Sequence, residues 1–389
     1  MDETLAHSRE HVKTSGPGPL AGLVVVDMTR YLPGAVTTLW LARFGAEVIK
    51  VERPGAGDPG RMRPGAFAVT CGGKRSVALD LQDERGRDLL RRLTERADVL
   101  VENFRPGVLE RLGLGYEQLG NPRLIYASLS GFPRQGSAAG AAGHDINYSA
   151  FSGLIALLGA SGAKRLPELP LADVAGGSFP LLSGILLALL ARTNTGRGQR
   201  VDVSIVAGLA SLLAWPLAAT AGRLPPPHGG NLLDGSFACY GVYAARGRGR
   251  LAVGALEPKF WANLCRKLGC EEMIADQFAR GQRQEQMRRR LEAIFRTRTV
   301  PEWFGALRGR DCCVTPVRSL KSAYRVRPQQ PLGVELGTAP ERIDLPPAPR
   351  LGQHSAQVLA EIGVAPGELR TLAAAGVVQR DQTGYHKDA

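Results

Sequence analysis

The sequence predicts an α/β fold in which an open parallel sheet carries helices on both faces and a smaller α+β domain follows. Two observations support this prediction. Through the first 220 residues, short apolar runs alternate with helical patterns, and the proline run 225–227 then separates them from a hairpin pattern. With 389 residues, of which 44% are hydrophobic and 22% charged, the chain is long enough for about two to three domains with sizeable cores.

The predicted sheet begins with the apolar run 23–27, which is typical of a buried parallel strand. Pro33 and Gly34 open a helix that Gly45 closes, and the next strand follows at 47–51, which completes a βαβ unit. The pattern then recurs. It predicts helices at 84–97, 106–112, 146–158, 179–191 and 206–220 and strands at 98–101, 124–129 and 201–206.

The second part of the chain has a different pattern. Two strand-like runs, 237–244 and 251–256, flank a turn rich in arginine and glycine and predict a hairpin. Three helices are predicted after it, at 259–268, 283–295 and 301–307. A proline-rich connector at 339–349 leads to two closing helices, at 355–362 and 366–375.

Charge and cysteine spacing argue against several classes of protein. The net charge is +13, but the basic residues are scattered and are not interleaved with aromatic residues, so we expect no nucleic-acid partner. A small polyanionic ligand suits the charge equally well. The six cysteines form no CxxC pair and have no nearby histidine, so we expect neither a metal site nor a disulfide framework.

The sequence also predicts a cytoplasmic protein without a membrane segment. Residues 1–18 are polar and lack an apolar signal-peptide core, and the longest apolar run, 179–191, is interrupted by Pro180 and Gly184. No GxGxxG signature for NAD follows the first strand, and the ATP, hydrolase and metalloprotease signatures (GxxxxGK[ST], GxSxG and HExxH) do not occur. The common forms of redox, kinase and hydrolase chemistry therefore lack their residues.

His144 is the histidine whose position best suits catalysis. A glycine-rich loop, 136–143, meets the start of a predicted helix there, with Asp145 as a plausible N-cap. The first backbone N–H groups of such a helix favour an oxyanion, and a histidine beside them could move a proton to or from a carbon next to that oxyanion. A capping or core histidine is an equally weighted interpretation.

Two carboxylates are further candidates. Asp173 is flanked by apolar and small residues, which raise the pKa of a carboxyl and let it act as an acid near neutral pH. The alternative for Asp173 is a helix N-cap, although Ser178 is the better cap. Glu257 precedes Pro258 after the predicted hairpin, and an ordinary acidic residue at a helix start is a strong alternative for it.

These residues belong to a set of segments that resembles the class III CoA-transferase superfamily and, within it, the α-methylacyl-CoA racemases. The segments, in this order, are FGAEVIKVERPG (44–55), GKRS (73–76), LDL (79–81), DVLVENFRPG (98–107), NPRLIY (121–126), LSGF (129–132), GHDINY (143–148), LAD (171–173), TGRGQ (195–199), NLLDG (231–235), VGALEP (253–258) and PPAPRLG (346–352). The racemase branch is indicated by His144 and Glu257, because transferases of this superfamily carry no histidine at the first position and a glycine-rich loop near the second.

The resemblance implies roles for individual residues. It makes His144 and Asp173 the two proton-transfer groups, the backbone N–H of Asp145 an oxyanion donor, and Glu257 a partner that orients the histidine. It also assigns Arg53 and the stretch Leu79, Asp80, Leu81 and Gln82 to the adenosine-phosphate site, and Gly143, Ile146, Asn147 and Tyr148 to substrate binding. Lys74, Arg75 and Arg105 follow strands and suit phosphates, although each could equally be a solvated surface charge.

The implied architecture is a Rossmann-like large domain and a small domain in an interlocked homodimer. Its expected parts are an N-terminal tail over 1–19, the large CoA-binding domain over 20–220, a linker over 221–231, the small α+β domain over 232–323, and a segment over 324–389 that returns to the large domain. The implied reaction is inversion of the α-carbon of a 2-methylacyl-CoA thioester through an enolate, with no cofactor or metal beyond the CoA moiety of the substrate.

Two alternatives remain open at this point. A CoA-transferase would use Asp173 as a nucleophile that forms a mixed anhydride and then a CoA thioester. A catalytically silent homologue would bind CoA and act through interaction.

Overall fold

The computed structural model describes residues 18–159, 168–220, 231–323, 333–334, 336 and 345–381. These residues form two compact units. The first combines the described residues up to Trp215 with those beyond 326, and the second holds the described residues from Pro216 to Ala323. One unit is therefore assembled from both ends of the chain.

The strands of the described residues form two sheets. They are β1 (Val24–Asp27), β2 (Glu47–Glu52), β3 (Arg75–Leu79), β4 (Val99–Glu102), β5 (Ile125–Ser130), β6 (Arg200–Ser204), β7 (Tyr240–Ala244), β8 (Arg250–Gly254), β9 (Val314–Pro316) and β10 (Val378–Gln379). The sheet of the first unit has the order β10-β3-β2-β1-β4-β5-β6. All its neighbours are parallel except β10, which pairs antiparallel with β3.

Helices of the first unit cover both faces of its sheet. The described helices of both units are α1 (Tyr31–Arg43), α2 (Pro64–Cys71), α3 (Glu84–Glu95), α4 (Val108–Arg111), α5 (Asp145–Phe151), α6 (Leu154–Leu157), α7 (Phe179–Thr195), α8 (Ile205–Leu212), α9 (Ala214–Thr220), α10 (Pro258–Leu268), α11 (Gln282–Phe295), α12 (Val300–Leu307), α13 (Leu320–Ala323), α14 (Ser355–Glu361) and α15 (Pro366–Ala374). Residues of α3, α14 and α15 share one buried cluster with strand residues such as Val26, whereas α1, α7 and α8 share the other with strand residues such as Val25. The α/β fold predicted from the sequence is confirmed.

The chain order of the strands reverses between β1 and β4. From β1 the chain moves outward through β2 and β3, and it then returns to the other side of β1 for β4, β5 and β6. In an open parallel sheet, such a reversal leaves a crevice beyond the carboxyl ends of the strands, where ligands bind. The topology thus places the loops after β1, β2, β4 and β5 around one crevice.

Several elements differ from the sequence prediction. The helix expected at 146–158 is divided into α5 and α6 at Gly153, whose φ of +85° ends the first helix. The helix expected at 106–112 is reduced to α4. Three elements of the first unit, α2, β3 and β10, were not predicted, and β10 pairs with β3 across a chain separation that no local pattern reveals.

The apolar run 179–191 also differs from expectation. A π-helical turn, Ala172–Ser178, continues directly into α7, and the combined stretch Ala172–Thr195 has 24 residues and contains an 18-residue window with a mean hydropathy of 2.0. By length and composition this helix is long and apolar enough to cross a membrane, which the interrupted run 179–191 by itself does not indicate. Leu181, Ile185 and Ala188 are buried in the core of the first unit.

The second unit contains the predicted hairpin. Strands β7 and β8 pair antiparallel, with Tyr240 opposite Gly254, and β9 adds a third strand on the other side of β8. Helices α10, α11 and α12 supply the large aromatic residues of its core, Trp261, Phe295 and Trp303. The helices predicted at 259–268, 283–295 and 301–307 correspond to these three within two residues at each end.

Candidate active site

The first unit contains a cleft of about 760 Å³ at the carboxyl ends of its central strands. Its walls come from the loops after β1, β2, β3, β4 and β5, from the loop before α5 and from the π-helical turn. Most of the site residues expected from the sequence line this cleft. They are Arg53, Leu79, Asp80, Leu81, Gln82, Arg105, Gly143, His144, Tyr148 and Asp173. The topology therefore gathers most of the expected residues in one place.

His144 stands at the edge of this cleft, directly before α5. Its extended backbone makes it the N-cap, and its N–H donates to Oδ1 of Asn147 at 3.0 Å. The helix begins at Asp145, so the expectation that Asp145 is the N-cap was wrong. The His144 side chain is exposed to the cleft, where its imidazole is available to a substrate.

Asp145 connects α5 to the turn that carries Asp173. Its Oδ1 accepts the backbone N–H of Asp173 at 2.9 Å. Burial of the Asp173 carboxyl, together with the negative charge of Asp145, raises the pKa of Asp173 from 3.8 to about 7. A carboxyl with this pKa exchanges protons readily at neutral pH. The N-cap alternative for Asp173 does not apply, because the residue lies inside the π-helical turn.

Close packing holds the π-helical turn in position. A Cβ added to Gly208 of α8 would lie 2.0 Å from the carbonyl oxygen of Gly176, so the two backbones meet without room for a side chain. On the other side, Oγ of Ser178 donates to the carbonyl of Pro33 in α1 at 2.8 Å. Asp173 is thus fixed by α1, α5 and α8 together.

Tyr148 shapes the loop before His144. Its hydroxyl donates to the carbonyl of Gly143, and its ring packs edge to face against Phe132 at 5.3 Å. A Cβ at Gly131 would lie 2.2 Å from this ring, so glycine is needed there. Burial, followed by the charges of Asp173 and Asp145, raises the pKa of Tyr148.

The lining of the cleft also includes arginines. The exposed side chains of Arg53 and Arg105 follow β2 and β4, and the backbone of Leu79 to Gln82 follows β3. Arg30, which sequence reasoning missed, also lines the cleft, with its guanidinium 4.8 Å from the centre of the Phe104 ring. Its place immediately after the first strand was the signal that could have identified it.

Two expected phosphate ligands lie elsewhere. Nζ of Lys74 is fully buried and pairs with Oδ2 of Asp27 at 3.1 Å, while also donating to Oγ1 of Thr38 at 2.7 Å. Arg75 pairs with Glu47 and Glu361 away from the cleft. Both residues neutralise carboxylates of their own unit, and neither lines the cleft.

Four further expected residues, Asp145, Ile146, Asn147 and Glu257, are also absent from the lining of this cleft. Ile146 is 46% exposed on the surface of α5, and Asn147 uses its amide oxygen at the backbone of His144. Glu257 belongs to the second unit, where it is exposed and directly precedes α10. Across the described residues, no group of three or more His, Cys, Asp or Glu side chains is arranged to hold a metal ion.

Comparison with known protein families identifies the family of the chain that forms this cleft. Residues 20–334 match the model for CoA-transferase family III. The chain belongs to CoA-transferase family III. The match spans the segments that carry the first unit's cleft as well as the whole second unit.

Family members with different activities resemble this chain. It is 38% identical to the α-methylacyl-CoA racemase of Mus musculus, over 93% of this chain and 98% of the racemase. It is 30% identical to the succinyl-CoA:glutarate CoA-transferase of the same organism, over 94% of this chain and 91% of the transferase. The crystal structure of a CaiB/BaiF family protein from Brucella suis matches with a TM-score of 0.75 and 28% identity, covering 89% of this chain and all of the other.

Proposed function

We propose that this family III protein is a racemase or epimerase that inverts the α-carbon of a 2-methylacyl-CoA thioester. The observation that carries the proposal is that His144 and Asp173 line one cleft while burial raises the pKa of Asp173 to about 7. Inversion of a carbon acid requires two proton-transfer groups, one to remove the α-proton and one to return it. The 38% identity to a racemase over nearly the full chain supports the same reaction.

The reaction would proceed by two proton transfers. One group removes the α-proton from one face of the thioester, and the electron pair moves onto the carbonyl oxygen to give a planar enolate. The other group then delivers a proton to the opposite face. The backbone N–H of Asp145, in the first turn of α5, would donate to the enolate oxygen. The thioester itself makes the α-proton acidic, so the proposed chemistry needs no further cofactor.

The CoA moiety would lie along the arginines that line the cleft. Exposed guanidinium groups of Arg53 and Arg105 suit its phosphates, because an arginine fork matches two phosphate oxygens. The partly buried side chain of Leu81, which also lines the cleft, suits the flat face of an adenine. This orientation directs the acyl end toward His144 and Asp173.

The test is deuterium incorporation from D₂O into a single enantiomer of a 2-methylacyl-CoA, followed by chiral analysis. Wild type should incorporate one deuterium at the α-carbon with inversion, and His144→Ala should lose this activity. Asp88→Asn, a change at an exposed carboxylate on α3, serves as the control and should behave as wild type. If the wild-type protein exchanges no α-proton with any of several acyl-CoA substrates, the proposed reaction is excluded.

The transferase alternative is supported by a transferase relative at 30% identity. It requires Asp173 to attack a thioester as an ionised carboxylate, and a pKa raised to about 7 leaves a large fraction protonated at neutral pH. Acyl transfer to a carboxylic acid acceptor, with a hydroxylamine-sensitive adduct on Asp173, would establish this alternative. Binding of CoA with neither exchange nor transfer would indicate the silent homologue.

We also propose that the protein works as an interlocked homodimer in which Glu257 acts in the partner's site. One face of α7 supports an interface, since Phe179, Leu187 and Leu190 are 42%, 66% and 64% exposed. Exposed apolar side chains grouped on a helix face are typical of surfaces that another protein covers.

A further inference from the structure

Tyr31 occupies an unusual place in the cleft. It is the first residue of α1, and its φ of +62° lies in the left-handed region that bulky residues rarely adopt. Its side chain is 51% exposed and forms part of the cleft wall. Strained backbone of this kind persists only where surrounding contacts enforce it, and it is concentrated at functional sites.

A buried ion pair enforces the conformation. The backbone N–H of Tyr31 donates to Oδ1 of Asp58 at 3.1 Å, while Oδ2 of the same carboxylate pairs with Nζ of Lys50 at 2.8 Å. The side chains of Lys50 and Asp58 are 0% and 3% exposed. Since Asp58 is also held by the N–H of Gly60 at 2.8 Å, it is a fixed acceptor. The backbone of Tyr31 is therefore anchored to the core, and its ring is directed to one place.

That place is beside His144. The two rings meet edge to face, with centroids 5.9 Å apart and planes at 86°. Such a contact stabilises one ring orientation over others. Because the imidazole projects into the open cleft, the tyrosine ring limits both the rotation of His144 and the space next to it.

We infer that Tyr31 is a positioning and specificity-determining residue for the proposed reaction. Its ring holds the imidazole of His144 toward the α-carbon and fills the space in which a group larger than methyl at that carbon would lie. This inference rests on the proposed function, since it assigns the substrate class as thioesters with a small α-substituent.

The experiment compares α-proton exchange for wild type, Tyr31→Phe, Tyr31→Leu and Tyr31→Gly, with a 2-methylacyl-CoA and a 2-ethylacyl-CoA of the same chain length. Glycine adopts positive φ without strain, so Tyr31→Gly guards against a variant that fails to fold. We expect Tyr31→Phe to retain wild-type kinetics. Tyr31→Leu and Tyr31→Gly should lower kcat for the methyl substrate about tenfold with KM within about twofold, because the CoA end is untouched. Their ratio of ethyl to methyl turnover should rise about tenfold, the usual effect of one methylene.

A second measurement requires no turnover. The ring resonances of His144, assigned by comparison with His144→Ala, should shift in Tyr31→Leu and remain unchanged in Tyr31→Phe, since only the former loses the aromatic ring. If wild type exchanges protons while the Leu and Gly variants keep the wild-type kcat, substrate ratio and His144 resonances, the inference about Tyr31 is overturned and the proposed function is not. Wild type without exchange would overturn the proposed function, and the assignment of substrate class with it.

Discussion

Asp173 shows how burial adapts a single side chain to its role. Its folded-state pKa of about 7 lies above the ordinary 3.8, so the folded protein holds this proton more tightly than the unfolded chain does. The stabilising contribution is complete below about pH 4 and is lost as the pH rises through about 7. The same burial that suits the carboxyl for proton exchange therefore destabilises the protein at neutral and alkaline pH.

Asp173→Asn should therefore stabilise the protein and inactivate it. We expect thermal unfolding of the variant and of wild type to differ little near pH 4, and the variant to gain at least about 1 kcal/mol near pH 8. Deuterium exchange should be lost at every pH. Asp88→Asn, at an exposed site, should alter neither property. A stability difference that is the same at both pH values would contradict the burial argument.

The basic residues of the first unit also differ in how deeply they are buried. Lys74 is buried against Asp27, whereas Arg53 is exposed in the cleft. Removing one member of a buried pair leaves an uncompensated charge, which costs about 3–5 kcal/mol. Removing an exposed arginine has little effect on folding.

Lys74→Met and Arg53→Ala should have opposite effects. The first should lower the free energy of unfolding by about 3 kcal/mol, measured by urea denaturation. The second should leave stability within about 0.5 kcal/mol of wild type, while KM for the acyl-CoA rises about tenfold, the effect of losing one charge-assisted phosphate contact. Arg75→Ala provides the control for binding, because this residue contacts Glu47 and Glu361 and not the cleft. A large rise in KM for Arg75→Ala would show that the binding site extends beyond the cleft described above and includes Arg75.

At the scale of elements, the site depends on how closely α8 approaches the π-helical turn. Gly208 and Gly176 meet backbone to backbone, and neither position has room for a Cβ. An added methyl must move one element away from the other. Since Asp173 lies in the turn, such a displacement reaches the carboxyl directly.

Gly208→Ala should therefore reduce both stability and exchange activity. Overpacking of this kind costs about 1–3 kcal/mol, and we expect a loss of kcat that is larger than any change in KM. Gly305→Ala in α12 is the matched control, because the added Cβ there has no neighbour within 4 Å. Alanine in an open helix position should raise stability by up to about 1 kcal/mol. Equal behaviour of the two variants in thermal unfolding and exchange would refute the argument from close approach.

At the scale of the whole molecule, the question is where Glu257 acts. It belongs to a different compact unit from His144 and Asp173, and the exposed face of α7 is available for a second subunit. In a homodimer of the proposed kind, each site would combine His144 of one chain with Glu257 of the other. Two different single variants could then restore one intact site when they share a dimer.

Complementation tests this arrangement. His144→Ala and Glu257→Gln subunits, each inactive alone, are co-expressed with different affinity tags and purified together. Successive purification on both tags isolates the hybrid dimers, which should have about half of wild-type exchange activity because one of their two sites is intact. Light scattering gives the mass of the particles. Hybrid dimers without restored activity, or a monomer in solution, would rule out shared sites.

The sequence by itself determined the fold class, most of the strands and helices and the family-bearing segments, because hydrophobic periodicity and motif residues are local properties. The resemblance carried by those segments predicted a shared site for His144 and Asp173, and both residues line the cleft. The tertiary structure decided which charges face the cleft, since the burial of Lys74 and the pairing of Arg75 depend on contacts with residues distant in the chain. It also decided that Tyr31 lies against His144 and that Asp145 lies against Asp173, which are contacts between separate elements. Burial and distance arise only when elements pack, so no local pattern encodes them.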